Sequence, residues 1–203
     1  MATSINGNFK AYYYTEGYIR TSCRTFNLSN ITDPMIHLTN DAVQKNCEDY
    51  GKQEPGNKLS YAEFQAYLDK HFYGSNILME RDILPQIKKI TTDCFKAAWT
   101  RMDPYKRLNQ FEVLGFDFMI DDNFKLYLIE VNTNPCLELS CPLLARIIPS
   151  MLDNSFRLAV DPLFPPPQHF SLKKGFVKDL CPENRYELIF DEHIDGPEIA
   201  DKM

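Results

Sequence analysis

Several common signatures are missing from this chain. None of its six cysteines, Cys23, Cys47, Cys94, Cys136, Cys141 and Cys181, stands in a CxxC pair, and its four histidines do not cluster into a zinc site. No signal peptide opens it, no apolar run is long enough to span a bilayer, and no segment repeats. Positive charge is not in excess. A net charge of −6 excludes a general nucleic-acid binder, whose domain should be basic. Nor does it favour an acidic macromolecular substrate, unless a local basic patch or a further segment supplies the attraction. Together these absences predict a reduced cytosolic chain whose free thiols serve packing, with no membrane and no nucleic acid among its partners.

What is present suits a packed protein. The 203 residues are enough for one sizeable domain or two small ones, and 44% of them are hydrophobic, with 14 Phe and 11 Tyr. Asn6-Gly7 is a hairpin turn signal. Phe9 to Tyr14 alternates and is aromatic, so it reads as a strand, followed by a turn at Thr15-Glu16-Gly17 and a third strand from Tyr18 to Ser22. Only Met1 to Ile5 precede the first turn, so the chain is expected to begin inside a sheet. Residues 24–57 read as a long ordered loop with one short helix near Asp41–Cys47.

Ser60 and Glu63 fit a capping box, followed by Tyr61, Phe64, Tyr67 and Leu68 at helical spacing. A second helix is predicted from Asp82 to Met102, with Ile83, Ile87, Ile90, Cys94 and Ala97 or Ala98 on one face. Both stripes read as core packing. Gln110 to Asn132 reads as a hairpin, and Ser140 to Val160 as a helix interrupted by Pro149. Leu163 to Pro167 is expected to close the packed unit, leaving one short strand, Tyr186 to Phe190, in a polar tail. The class is α+β, an antiparallel sheet packed against helices.

The hairpin carries polar residues where a core should be. With a two-residue turn at Asp122-Asn123, residue 118 faces 127 and 117 faces 128. One face then collects Phe116, Phe118, Ile120, Tyr127, Ile129 and Val131. The other collects Asp117, Met119, Leu126, Leu128, Glu130 and Asn132, with Asp117 diagonal to Glu130. This second face could simply meet solvent. Yet Met119, Leu126 and Leu128 share it, and carboxylates in a partly apolar setting are costly without a partner. A hard divalent cation with oxygen ligands would remove that cost, and magnesium needs only a few protein oxygens because it keeps waters and substrate phosphates. Spacing alone does not choose between the two readings.

Five stretches in order, GYIRTSC, HLTNDAVQK, YGKQEPGNKLSYAEFQAYL, GFDFMI and IEVNTNP, resemble the tubulin–tyrosine ligase family. The resemblance runs from about Ile5 to Pro167. It implies the C-terminal part of an ATP-grasp fold over residues 1–167, with 168–203 as a C-terminal extension. It further implies an ATP- and Mg²⁺-dependent ligase that joins a free amino acid (tyrosine, glutamate or glycine) to a tubulin tail through an acyl phosphate. On this likeness Asp117, Glu130 and Asn132 match magnesium ligands, Thr39 and Asn40 line the nucleotide site, and Arg20 faces the terminal phosphate and the acceptor. Read without the likeness, Arg20 is a surface arginine on an edge strand, and Thr39 and Asn40 are a helix cap. His37 is expected to pack or position rather than act as a base. The setting implied is the cytoplasm, the cytoskeleton or the cilium.

Family members carry further sequence upstream, including a central lobe that holds much of the adenine pocket and phosphate-binding lysines. The expectation is therefore the Mg-binding half of such a ligase. The alternative is a non-catalytic relative acting as a tubulin-associated module.

Overall fold

The computed structural model describes residues 1–167 and 183–200, without the side chain of Ala200. The expectation for Cys181, and most of the first half of the extension, lies outside them. The described residues are α+β, and every strand pairing among them is antiparallel. Contacts divide the chain into two units. A sheet unit comprises Met1–Thr15, Glu80–Leu137 and the described residues from Pro149 on; a loop unit comprises Glu16–Met79 and Glu138–Ile148.

The sheet unit begins with β1 (Ala2–Ile5) and β2 (Asn8–Tyr14), paired so that Ile5 faces Asn8. The intervening Asn6 and Gly7 have φ of +54° and +75°. Successive left-handed residues twist the ribbon to match its strands, and Asn and Gly tolerate them best. β5 (Gln110–Glu112) pairs with the other edge of β1, and β8 (Tyr186–Asp191) with β2, giving the order β5-β1-β2-β8. A helix, α4 (Leu84–Met102), packs on β2 and β8, as does α6 (Glu192–Ala200).

Phe9, Ala11, Phe95 and Phe190 are all at most 3% exposed and, with Ala2, form the core. Phe190 meets Phe9 edge-on at 6.1 Å and Trp99 at 5.8 Å. Beneath β1, the Ser4 hydroxyl donates to Asp103 at 2.6 Å. Burial pushes the Asp103 carboxyl up, but the Ser4 hydroxyl and the Arg107 N–H outweigh it and hold the group below its ordinary range. Burial likewise lifts the Tyr186 phenol to about 12, against the Ser155 hydroxyl it meets at 3.0 Å.

Four expectations need correction here. The third strand is only β3 (Ile19–Arg20), and it pairs not with β2 but with β4 (Lys58–Leu59) in the loop unit; β8 already occupies the free edge of β2. The α4 stripe is wider than expected: Ile83 is fully buried and Ile87, Ile90, Cys94 and Ala98 are half-buried, as the spacing predicts, but Thr91 and Phe95 are buried beside them and Trp99 and Met102 continue that second line. Large rings set the facing side, whereas the sequence stripe gave small residues equal weight. The strand placed in a polar tail is a full member of the sheet, so packing continues past Pro167. Finally, Cys136 is exposed, while Cys47 and Cys141 are buried and Cys23 and Cys94 half-buried; burial raises the Cys23 and Cys94 thiol pKa values.

The loop unit holds α1 (Pro34–His37), α2 (Asp41–Gln44), β4 and α3 (Tyr61–His71). The expected capping box is present: Glu63 N–H donates to Ser60 Oγ at 3.2 Å, and Ser60 N–H to Glu63 Oε2 at 2.7 Å. The last helix of the family-like region, α5 (Pro142–Ala159), contains Pro149, and the division between units falls at that proline.

Candidate functional site

Each of the two units carries one group of candidate residues. The first is the hairpin of β6 (Gly115–Ile120) and β7 (Leu126–Asn132). Its turn is one residue longer than expected. Asp121 N–H donates to Lys125 O at 3.0 Å, and Asp121 Oδ1 accepts from the Asn123 and Lys125 N–H groups, each at 2.9 Å. Phe124 takes the left-handed conformation at φ +60°. The loop is therefore Asp122-Asn123-Phe124, and Ile120 pairs with Leu126. Gln86 on α4 holds this end: its amide donates to Phe124 O at 3.0 Å and accepts from Leu126 N–H at 3.1 Å.

One extra loop residue moves β7 by one position and turns over its side chains. Leu126 and Leu128 thus pair with Ile120 and Phe118, and Leu126 is only 4% exposed. Met119 pairs with Tyr127, and both are exposed. The predicted division of the hairpin into two faces is wrong for Leu126, Tyr127 and Leu128.

Further along, the ladder jumps. Phe118 pairs with Leu128 but Asp117 with Glu130, so Ile129 is the extra residue of a β-bulge. The bulge undoes the shift made by the loop. Asp117 therefore lies directly opposite Glu130, not diagonal to it, and both share a face with Asn132, which pairs with Gly115. Directly opposed residues carry their Cβ atoms about 5 Å apart. Asn132 Nδ2 donates to Glu130 Oε1 at 3.2 Å, which orients both side chains. A Cβ at Gly115 would sit 3.0 Å from Pro135 Cβ, so the proline ring would have to give by a few tenths of an ångström to admit one.

The face is wetter than its sequence pattern implied: Glu130 is exposed, and Asp117 and Asn132 are half-buried. Two carboxylates and an amide are a hard oxygen set, and they fit magnesium, which completes its shell with water and phosphate oxygens. They fall short of an all-protein cage. Among the described residues, no group of three or more His, Cys, Asp and Glu side chains is gathered for a metal.

The second group lies in the loop unit. Arg20 is in β3, directly across from Lys58 of β4. Asn40 caps α2, its side chain accepting from Ala42 N–H at 2.9 Å, so the capping alternative holds for this residue. Thr39 is half-buried beside it. His37 ends α1, with Nε2 at 2.9 Å from Asn30 O and its ring edge-on to Phe26, contacts of a packing residue.

Sequence reasoning missed the buried polar residues that hold this group. Gln44 is fully buried. Its Oε1 accepts from Cys23 N–H at 2.7 Å, and its Nε2 donates to Leu38 O at 2.5 Å and Met35 O at 3.4 Å. It joins the chain after Arg20 to the carbonyl before Thr39. Asn57, also buried and left-handed at φ +51°, accepts from Gly51 N–H at 2.7 Å and donates to Thr21 O. Lys58 is buried against Asp41. The β4 strand is only two residues long, too short for alternation to reveal which of its side chains is inside.

Residues 1–168 match the Tubulin-tyrosine ligase family. The chain belongs to that family. It is 36% identical over 154 residues to Tubulin glycylase 3A of Drosophila melanogaster, covering 74% of this chain and 15% of that protein. It is 32% identical over 154 residues to Protein monoglycylase TTLL8 of Homo sapiens, covering 74% and 18%. It is 29% identical over 153 residues to Inactive polyglycylase TTLL10 of Homo sapiens, covering 73% and 22%. The chain thus spans under a quarter of the length of these relatives.

Proposed function

We propose that residues 1–167 form the C-terminal part of an ATP-grasp ligase, extended by residues 168–203, and that the protein attaches glycine to a tubulin tail using ATP and Mg²⁺. The observation that carries this reading is the direct pairing of Asp117 with Glu130, with Asn132 bonded to Glu130 on the same face. The names of the relatives favour glycine over tyrosine or glutamate and tubulin as acceptor. The setting follows the substrate: the microtubule cytoskeleton, including cilia. No helix among the described residues is long and apolar enough to cross a membrane.

A carboxylate is a poor acyl donor. ATP transfers its terminal phosphoryl group to the acceptor carboxylate, and the amino group of glycine then displaces phosphate to form the amide. When bound, magnesium would neutralise charge on the phosphate oxygens. Asp117, Glu130 and Asn132 would hold it with their oxygens, and the hydrogen bond from Asn132 to Glu130 keeps two of these groups oriented in advance. Arg20 supplies a permanent cation for negative charge building on the transferring group. Thr39 and Asn40 offer short polar side chains to the nucleotide, Asn40 while capping α2.

The test is incubation of the full-length protein with tubulin, Mg-ATP and glycine, tyrosine or glutamate, read by mass spectrometry of the tails. A glycine mass increment is expected. Glu130→Gln should lower the rate about a hundredfold or more without changing the melting temperature. Undiminished ligation by that variant at ordinary Mg²⁺ would reject the metal assignment. A relative named as inactive favours one other reading, a non-catalytic tubulin-associated module. Tubulin binding with no mass increment from the wild-type protein would establish it.

A further inference from the structure

The loop unit contains an ion pair, between a buried lysine and a half-buried aspartate, that the reaction above does not use. Lys58 has a side-chain exposure of 2%, and its Nζ donates to Asp41 Oδ2 at 2.6 Å, Asp41 Oδ1 at 2.8 Å and Gly56 O at 2.9 Å. All three donors of the ammonium therefore have partners, which a buried lysine requires. What it joins is informative. Asp41 is the first residue of α2 and follows Asn40, the cap of that helix. Lys58 lies directly across the ladder from Arg20. One contact thus fastens the segment bearing Thr39 and Asn40 to the strand pair bearing Arg20.

Electrostatics makes the same connection. Two cations facing each other across an antiparallel pair repel. Asp41 neutralises Lys58 at two oxygens, so Arg20 can occupy the opposite position without meeting a bare positive charge. Other ties between these segments, through Gln44 and through the Tyr50 hydroxyl near Asp41 and Gly56 O, lack a second full charge.

We propose that Lys58 and Asp41 are positioning residues: their ion pair sets the spacing and charge balance between Arg20 and the Thr39-Asn40 segment, and so the affinity for ATP. This rests on the ligase reading, which gives those residues their nucleotide role. The experiment uses the full-length protein and removes both charges together, as Lys58→Met with Asp41→Asn, so that no unpaired charge stays buried. Peptide-resolved hydrogen exchange should show protection of Ala42–Lys45 and of Thr21 lowered about tenfold, with α4 unchanged. The KM for ATP should rise about tenfold while kcat changes less than threefold. The single variant Lys58→Arg keeps a cation able to reach both oxygens of Asp41, and should return KM to within about threefold of wild type.

Unchanged protection of α2 in the double variant would overturn the clamp. Lost protection with an unchanged KM would overturn the positioning role. An absence of ATP-dependent ligation by the wild-type protein would sink the ligase reading instead, and the exchange data would still decide whether the pair ties the two segments.

Discussion

The two units position their functional side chains by different physics. In the sheet unit, Asp117, Glu130 and Asn132 are placed by backbone register: a three-residue loop turns β7 over, and a bulge at Ile129 turns its far end back. The support behind the register is apolar, with Phe116 5.8 Å from Phe95 and Phe95 in the common core. In the loop unit, Arg20, Thr39 and Asn40 sit in short elements, and the buried polar side chains of Gln44, Asn57 and Lys58, the last paired with Asp41, hold them. A hydrophobic ribbon tolerates changes that conserve volume but not changes of register. A polar frame does the reverse, because each buried donor or acceptor needs its own partner.

The sharpest way to break this contrast is Asp117→Ala, which leaves the register intact and removes one of the two paired oxygen groups. Ligation is then expected to fall about a hundredfold or more, as for Glu130→Gln, with the hairpin still folded. Activity within tenfold of wild type would show that the paired carboxylates set by the register are not the working groups.

A smaller effect is expected from core truncation. Phe190→Ala should cost the sheet unit about 3–5 kcal/mol, read by chemical denaturation, since the ring is 1% exposed and meets both Phe9 and Trp99. Gln44→Leu, similar in size and apolar, should cost the loop unit about 1–3 kcal/mol by leaving Cys23 N–H and Leu38 O unsatisfied. If the leucine proves neutral, the account of the loop unit as a polar frame fails.

The weakest effect concerns acid. For Asp191, burial acts to raise its pKa, but Lys10 at 2.9 Å, Asn8 and the His193 N–H together hold it below the ordinary value. A folded-state pKa below the unfolded one gives stability that is present above about pH 4 and is lost as pH falls through the folded value. Asp103 behaves alike. Asp191→Asn should flatten the fall of the melting temperature below about pH 4. An unchanged slope would remove Asp191 as the cause.

Much of this was legible in the amino acids. Asn6-Gly7 announced a hairpin, Ser60 and Glu63 a helix start, and GFDFMI with IEVNTNP the carboxylate pair, because each depends on neighbours close in sequence. The face assignment of Leu126, Tyr127 and Leu128 was not legible. It turns on whether Phe124 belongs to the turn, and a phenylalanine at positive φ is not a turn signal. The pairing of Asp117 with Glu130 was anticipated as a shared face, although it is reached through a longer loop and a bulge that offset each other.

The chain's own order of residues determined its family, its helices and the polar groups that converge on one ribbon, since these are set by local spacing. Only the folded structure decided that β8 closes the sheet beside β2, that Gln44 and Lys58 are buried, and that Glu130 stands directly across from Asp117. Such outcomes depend on segments tens of residues apart competing for the same sheet edge or the same buried carbonyl, and no local pattern records who wins.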